Sequence, residues 1–298
     1  MSGVLICGAG GQVGQAVTLQ LRQAGREVVA LDRRALDIAD PTAIEGAFAA
    51  HRPEVVVNAA AYTAVDRAES EPDIAYSVNA DGPRRLAEAC AKIGAALVSY
   101  STEHVFDGTK SSPYTESDPI APINLYGLSK AKGEDGIRAS LQRHIILRTS
   151  WVFSPGRPNY VTTMLRLGSE RDVLRIVDDV VGCPTPAWNI ATATVSLIDT
   201  IAGDQDISWG TYHFCGAGPV SRYRLTQVIM EDYAMTAGRT VEVVPIKDAD
   251  FPTPAKRPLK AILDCSKIAR TFGLTQPDWR GSIKQMVEEF QRNRMADQ

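Results

Sequence analysis

The sequence lacks the features that mark membrane, secreted and nucleic-acid-binding proteins. No apolar run reaches the length of a membrane-spanning helix. The chain also does not open with a basic segment followed by a hydrophobic stretch and a cleavage site. The formal net charge is only -3, which gives no general reason to expect a nucleic acid partner. We therefore expect neither a membrane nor a nucleic acid as partner, and any phosphate site must be local.

Disulfide and metal-ligand patterns are missing as well. The five cysteines are odd in number and scattered, and they lack the paired spacing of a zinc site. They predict buried thiols in a reducing compartment, and hence a cytoplasmic location. The adjacent acids Asp178 and Asp179 have no further spaced ligands, so they indicate a solvated turn. The sequence predicts no metal site.

The composition is that of a globular protein with a sizeable core. Hydrophobic residues make up 44% and charged residues 22%, and 298 residues suit one large domain or two closely packed ones. Short apolar runs alternate with helical patterns, which predicts an α/β fold with a doubly wound parallel sheet of the Rossmann type. The predicted strands cover residues 4–7, 28–32, 55–58, 95–100 and 144–148, and the predicted helices cover residues 15–24, 42–51, 73–93 and 126–140.

The second half of the sequence is more irregular than the first. Helical patterns return at 190–201 and 223–235, and residues 240–245 resemble a short strand. We assign residues 1–150 to a dinucleotide-binding domain that also receives a helix from about 187–202. Residues 151–298 are predicted to form mainly a smaller α/β substrate-binding domain.

A glycine-rich turn follows the first predicted strand and opens a helix. At such a turn a pyrophosphate can meet exposed backbone N–H groups and the positive end of the helix. An ordinary strand-to-helix turn would show the same glycines, but Asp32 favours the cofactor interpretation. Its carboxylate ends the second strand, where it can accept a hydrogen bond from an adenosine ribose. The glycines of the turn are Gly8, Gly11 and Gly14.

The cofactor's phosphorylation state stays open at this point. Asp32 favours NADH, whereas either Arg33 or Arg34 could pair with the 2′-phosphate of NADPH. Asp37 could hold the adenine edge or cap the following helix. The small residues of 58–61 offer a floor for a ribose and nicotinamide, or simply close packing of a helix on the sheet.

The strongest chemical signal is the pair Tyr126 and Lys130, which lie on one face of the predicted helix. A nearby ammonium favours phenolate and makes the phenol a better acid. Thr102, at the ligand-facing end of a strand, would add a second donor toward an oxygen that gains negative charge. Alternatively, it satisfies strand-end backbone groups. Arg257 and Lys260 form a basic cluster that could meet a diphosphate or be a solvated charge pair.

Five segments together resemble the extended short-chain dehydrogenase/reductase family, namely 8–14, 58–66, 101–108, 126–130 and 148–153. The resemblance implies that Tyr126 donates a proton and that Lys130 is its electrostatic partner and a ligand of the nicotinamide ribose. It also implies that Thr102 donates a hydrogen bond to the substrate. The cofactor, NADPH or NADH, is expected at Gly8, Gly11, Gln12, Val13, Gly14, Asp32, Asp37, Ile38, Ala60, Ala61, Thr63, Tyr100, Tyr126 and Lys130. The substrate is expected at Thr102, Glu103, His104, Trp151 and Arg257.

The resemblance further implies an oxidoreductase that reduces the C4 ketone of a dTDP-linked 4-keto-6-deoxyhexose, a step in making nucleotide-sugar precursors of polysaccharide. Glu103 and His104 stand where the family commonly has Asp-Tyr, which leaves the exact hexose open. Some relatives hold Mg through an acid just after the glycine turn, where this chain has Gln15. A metal-bridged dimer is therefore less expected, and the chain is predicted to be a monomer or homodimer.

Two other functional classes remain as alternatives. Enzymes of the same fold carry out 4,6-dehydration or C4 epimerisation, but the dehydratases typically follow the strand-end threonine with an Asp-Glu pair. This chain has Glu103 and His104 there. A non-catalytic regulatory subunit that binds a dinucleotide would have no need of a phenol next to an ammonium. The residues favour the reductase.

Overall fold

In the computed structural model, the strands form a central parallel sheet and three small two-stranded sheets. The structure describes residues 3–203 and 207–296. The strands in these ranges are β1 (Val4–Cys7), β2 (Val28–Leu31), β3 (Val55–Asn58), β4 (Ala96–Thr102), β5 (His144–Thr149), β6 (Val152–Phe153), β7 (Val173–Val177), β8 (Val181–Gly182), β9 (Thr185–Pro186), β10 (Gly210–His213), β11 (Val220–Ser221) and β12 (Glu242–Ile246).

Helices cover both faces of the sheet and form much of the second half of the chain. The α-helices are α1 (Gln12–Gln23), α2 (Pro41–His51), α3 (Val65–Ala68), α4 (Pro72–Tyr76), α5 (Gly82–Ile93), α6 (Leu125–Ser140), α7 (Tyr160–Glu170), α8 (Ala187–Ala202), α9 (Arg222–Ala237), α10 (Ser266–Phe272) and α11 (Arg280–Ala296). Short 3-10 helices occur at Glu103–Val105 and Asp248–Asp250. None of the helices in the described ranges is long and apolar enough to cross a membrane.

The central sheet has six parallel strands in the order β10-β5-β4-β3-β1-β2. The chain runs outward from β1 to β2 and then crosses back to β3, so the strand order reverses between β1 and β3. In doubly wound sheets, ligands bind at the carboxyl ends of the strands at this reversal. The architecture confirms the predicted α/β fold class.

Side chains of successive strand residues pack on opposite faces of the sheet. Val4 and Ile6 belong to the cluster beneath α1 and α8, whereas Leu5 and Cys7 belong to the cluster beneath α2, α5 and α6. The alternation follows from the two-residue period of a strand, and both sets are apolar because helices cover both faces. A third cluster, which includes Trp279, lies among α7, α9 and α11.

Two elements from the second half of the chain complete the central sheet and its helical layer. Helix α8 packs against α1, and β10 forms the edge strand beside β5. The division into a domain of residues 1–150 and a domain of residues 151–298 stays a prediction.

The helix predicted over 73–93 is interrupted in the structure. Helix α4 ends at Tyr76, a π-helical segment covers Ser77–Asp81, and α5 begins at Gly82. Pro83 supplies no N–H to the preceding turn, which prevents a continuous α-helical hydrogen-bond pattern. The wider π turn also turns Asn79 inward, where its side chain is almost completely buried.

A buried ion pair joins α6 to β5. The guanidinium of Arg148 donates to both carboxylate oxygens of Glu134, at 2.8 and 2.6 Å. Burial by itself raises the pKa of Glu134, but the hydrogen bonds and charge of Arg148 outweigh it and leave that pKa below its usual value. Arg138 donates to the same carboxylate from the helix surface. The pair fixes the face of α6 that lies on the sheet.

We expect Arg148→Met to lower the free energy of unfolding by about 3–5 kcal/mol, because it leaves the Glu134 carboxylate buried without its bidentate partner. Arg166→Met is the matched control, since it removes an exposed partner of Glu170 and should change stability by less than about 1 kcal/mol. Urea unfolding followed by circular dichroism measures both. Equal stability of the two variants would show that the buried pair contributes little.

Candidate active site

The glycine turn between β1 and α1 needs glycine for both conformation and space. Gly8 has φ of +78°, and a Cβ there would lie 2.5 Å from the backbone nitrogen of Ala60. A Cβ at Gly14 would overlap the carbonyl oxygen of Gly8. Gly11 caps α1 without a side-chain hydrogen bond, so the first N–H groups of the helix have no side-chain acceptor. Such a terminus favours an anion.

A cavity of about 670 Å³ runs along this turn, a size suited to a small-molecule ligand. Seven of the predicted cofactor residues line it, namely Gly8, Gly11, Asp32, Asp37, Ile38, Ala60 and Ala61. The other predicted cofactor residues lie outside its lining: Gln12, Val13, Gly14, Thr63, Tyr100, Tyr126 and Lys130. The assignment of all these residues to a cofactor stays a prediction.

The acids after β2 organise the rim of the cavity. One carboxylate oxygen of Asp32 accepts the backbone N–H groups of Arg34 and Ala35, at 2.9 and 3.1 Å. Asp37 accepts from the backbone of Ala39 and faces the Arg33 side chain at 3.5 Å. The cap of α2 is Asp40, not Asp37. The capping alternative for Asp37 is therefore wrong.

Helix α6 brings the predicted catalytic pair to the end of β4. Asn124 caps the helix by accepting from the backbone of Gly127. Lys130 is 5% exposed, and its Nζ donates to the carbonyl oxygen of Tyr100 at 2.7 Å. Burial lowers the pKa of Lys130 to about 8, against the opposing effect of Glu134 one turn further along.

The Tyr126 phenol is a weaker acid here than the sequence predicted. Burial raises its pKa and the Glu103 carboxylate raises it further, while a hydrogen bond with Thr102 acts in the opposite direction. Burial and a neighbouring anion decide the direction of this shift, and the role of Lys130 as the electrostatic partner of Tyr126 stays a prediction. The phenol therefore stays protonated at neutral pH.

The Thr102 hydroxyl is already engaged as a donor. The hydroxyl donates a hydrogen bond to Oε2 of Glu103 at 2.9 Å, and its oxygen accepts a hydrogen bond from the backbone N–H of His104 at 3.1 Å. Donation to Tyr126 or to a ligand therefore requires the hydroxyl to turn away from Glu103. The role of Thr102 as a substrate donor stays a prediction.

His104 is neutral, with a defined tautomer. The Asn124 side chain accepts from Gly127, so its amide nitrogen faces Nδ1 of His104 at 2.9 Å and also donates to the carbonyl of Lys256. Nδ1 is thus an acceptor, and the ring proton lies on Nε2, 4.0 Å from Glu103. Burial lowers the pKa of His104, and Glu103 only partly opposes this. Glu103 and His104 together form a compact polar surface beside Tyr126.

Asn79 connects the cofactor cavity to α6, a role that the sequence analysis missed. Its side-chain oxygen accepts from the backbone N–H of Tyr62, and its amide donates to the Tyr62 carbonyl and to the Ser129 hydroxyl. In the sequence, only Pro83, which interrupts the predicted helix 73–93, could have indicated this role of Asn79.

A second cavity, of about 620 Å³, has several cations in its lining, namely Arg171, Arg175, Arg222 and Arg257. The guanidinium of Arg222 lies 3.4 Å from the ring centre of Trp151 and 4.3 Å from that of Tyr160. Burial lowers its pKa to about 10, so it remains charged at neutral pH. The charge of Glu103 also acts on Arg222 and opposes this lowering, so the two groups lie near each other. The sequence offered no signal for Arg222 among the neighbouring arginines.

Of the predicted substrate residues, Arg257 lines this cavity, whereas Trp151 lies outside its lining and stacks on Arg222. Trp151 has φ of +44°, an unusual conformation for a bulky residue, and its indole packs against Gly182. Arg257 lines the cavity but donates to Asp66 at 2.7 Å. Lys260, the other member of the predicted cluster, is exposed and lies outside the lining.

In the described ranges, no group of three or more histidines, cysteines or acids is arranged to hold a metal ion. Asp178 accepts from the Ser221 hydroxyl, and Asp179 accepts from the backbone of Asp248. Both acids therefore serve the local structure of their turn.

Comparison with known proteins finds relatives along almost the entire chain. Residues 1–292 match the family described as the RmlD substrate binding domain. The chain is 42% identical over 289 residues to a dTDP-4-dehydrorhamnose reductase of Aggregatibacter actinomycetemcomitans, covering 95% of this chain and 98% of that protein.

Solved structures of two similar proteins share the fold. A dTDP-4-dehydrorhamnose reductase of Clostridium acetobutylicum superposes with a TM-score of 0.89 at 36% identity, covering 97% of this chain and 99% of that one. The Bacillus anthracis protein of the same name, in complex with NADP, gives 0.88 at 34% identity with coverage of 97% and 99%. These matches confirm the family to which the five motif segments pointed.

Proposed function

The chain belongs to the RmlD substrate binding domain family, whose named relatives are dTDP-4-dehydrorhamnose reductases, and on this premise we propose its reaction. It is an NAD(P)H-dependent oxidoreductase that reduces the C4 ketone of dTDP-4-dehydrorhamnose to give dTDP-L-rhamnose. The observation that supports this most is the geometry around Tyr126: its ring lies 5.4 Å from that of His104, and the buried Lys130 lies one turn further along the same helix. Arg222, which lines the second cavity, is close enough to Glu103 for that charge to act on it, so a proton donor lies near a cationic cavity.

The residues of the first cavity fit a dinucleotide. Gly8 leaves no room for a side chain, and the uncapped N–H groups of α1 suit a pyrophosphate. Asp32 would receive the adenosine ribose, and Lys130 would bind the nicotinamide ribose. When bound, the reduced nicotinamide supplies the hydride that reaches C4 of the sugar.

Tyr126 supplies the proton that complements this hydride. As negative charge develops on O4, the phenol O–H bond breaks and its proton passes to that oxygen, which gives the C4 hydroxyl. The raised pKa keeps the donor protonated, and solvent restores its proton after product leaves. Thr102 stabilises the same oxygen once its hydroxyl has turned away from Glu103.

The nucleotide diphosphate is held away from the reacting carbon. Arg222 is fixed between two aromatic rings, and no carboxylate in the described ranges lies within 4.0 Å of it. Arg257 joins it at the same cavity, although a diphosphate must then compete with Asp66. Binding energy at these cations orients C4 toward the nicotinamide without contacting it.

We also propose the setting of the reaction. The five cysteines are free and buried, which supports a reducing compartment such as the cytoplasm. A monomer or homodimer, and independence of Mg²⁺, stay predictions.

The proposed reaction is tested by mixing the protein with dTDP-4-dehydrorhamnose and reduced nicotinamide and by identifying the sugar by NMR. We expect one nicotinamide to be oxidised for each dTDP-L-rhamnose formed. Product formation with only catalytic amounts of oxidised cofactor would instead indicate dehydration or epimerisation. Tight cofactor binding without turnover of any dTDP-4-keto-6-deoxyhexose would indicate a regulatory subunit.

Tyr126→Phe is expected to lower kcat by about 10²–10⁴-fold, because it removes the general acid. Affinity for the dinucleotide should change little, since the ring and Lys130 remain. Tyr212→Phe is the control, because it deletes a buried phenol hydroxyl of the edge strand β10 that interacts with Ser208 and Thr271. Steady-state kinetics and a cofactor titration separate the two effects, and full turnover by the Tyr126 variant would remove it from the mechanism.

The charge of Lys130 predicts a pH dependence. Its lowered pKa in the free protein, about 8, means that the ammonium is lost as pH rises through that value. We expect kcat/KM for the reduced nicotinamide to fall over this range, since that ratio reports the free enzyme. Lys130→Arg should retain charge and lose this basic limb, at a lower maximal rate. An unchanged limb in the variant would assign the titration to another group.

A further inference from the structure

The loop between β6 and α7 carries a cation from the second half of the chain to the dinucleotide cavity. Arg157 is exposed at the tip of this loop, and it lines the cavity together with Gly10 and Asp32. All the other residues that line this cavity lie before residue 80. Arg157 is therefore the one contribution of the second half to the described lining.

The loop is held in place by the glycine turn itself. Oε1 of Gln12 accepts from the Ser154 hydroxyl at 2.9 Å and from the Asn159 amide at 3.2 Å. The same Asn159 amide donates to the carbonyls of Ser154 and Arg157, and the Asn159 side chain caps α7. These bonds fix the loop backbone on both sides of Arg157, and no residue within 3–203 or 207–296 pairs with its guanidinium.

The position of Arg157 distinguishes between the phosphates of a dinucleotide. A second depression, of about 650 Å³, adjoins the cavity, and the two share Gly10, Asp32 and Arg157. Asp32 is where the adenosine ribose is expected. A group on the 2′-oxygen would leave the ribose at Asp32 and enter the adjoining depression, whereas the pyrophosphate would lie over the N–H groups of α1.

The charges at this junction favour an anion. Arg33 faces Asp37, and the inner oxygen of Asp32 is taken by two backbone N–H groups. Within the described ranges, the guanidinium groups of Arg34 and Arg157 have no carboxylate within 4.0 Å. Arg22 lines the adjoining depression from α1. Cations thus outnumber acids around the expected 2′ position.

We propose that Arg157 binds the 2′-phosphate of NADP(H), so that the second half of the chain completes the cofactor site and the protein binds NADP⁺ more tightly than NAD⁺. The proposal rests on the proposed function only in taking the first cavity as the dinucleotide site. Arg34 contributes from the opposite rim. A guanidinium suits this role because it can make two charge-assisted hydrogen bonds to one phosphate.

The test is a calorimetric titration of the full chain with NADP⁺ and NAD⁺ in the absence of sugar. We expect Arg157→Ala to weaken NADP⁺ binding by about tenfold and NAD⁺ binding by less than about twofold. Arg157→Lys should fall between, since it keeps a charge but loses the bidentate geometry. Arg166→Ala, an exposed substitution on α7, should leave both affinities unchanged.

Two outcomes would overturn the proposal. Equal weakening of both cofactors by Arg157→Ala would place the guanidinium on the pyrophosphate, and no weakening of either would show that it touches no cofactor. The fragments 2′,5′-ADP and 5′-AMP provide a second measurement, because only the first carries the 2′-phosphate. Binding is measured without turnover, so failure of this inference leaves the reductase proposal intact, and failure of the reductase assay leaves the binding result valid.

Discussion

The candidate site depends on an ammonium group held inside the protein. Lys130 is 5% exposed, and its Nζ is fixed by the backbone carbonyl of Tyr100. Burial alone would favour the neutral amine, and Glu134, one turn further along α6, opposes that tendency. Glu134 is itself shared with Arg148 and Arg138, so its negative charge is distributed among three cations. The pKa of about 8 for Lys130 is the result of burial, which Glu134 opposes only in part.

The phenol and the substrate cavity are arranged around a different charge, that of Glu103. This carboxylate is 6% exposed, raises the pKa of Tyr126 and accepts a hydrogen bond from the Thr102 hydroxyl. It also acts on Arg222, which stays charged between two aromatic rings. A cation held in this way is already desolvated and oriented before an anion arrives, so little ordering of Arg222 opposes binding. Arg257 differs, because its bond to Asp66 must first be broken.

Local sequence patterns predicted most of the fold. The strands of the first half lie within two residues of their predicted bounds, because each is a short apolar run covered on both faces. Tyr126 and Lys130 share a face of α6 because helical spacing is local. The prediction of a continuous helix over 73–93 was wrong, because one proline changed the hydrogen-bond pattern. A regular spacing of apolar residues does not reveal such a change.

The parts of the site that could not be predicted depend on contacts between distant elements. Arg222 meets Trp151 and Tyr160 only after α9 has packed near β6 and α7. The bond of Arg257 to Asp66 joins residues 191 positions apart. The direction of the pKa shift of Tyr126 could not be predicted, because the spacing to Lys130 is local whereas the burial of Tyr126 and the approach of Glu103 are not. In each case the missing quantity was a distance or a degree of burial, and not a residue type.

One segment of the chain contacts both cavities, which gives the two sites a physical connection. Its ends, Trp151 and Tyr160, stack on Arg222, while Ser154 and Asn159 are bonded to Gln12 at the start of α1. The positive φ of Trp151 lies within this segment, where packing on both sides can hold an otherwise unfavourable backbone conformation.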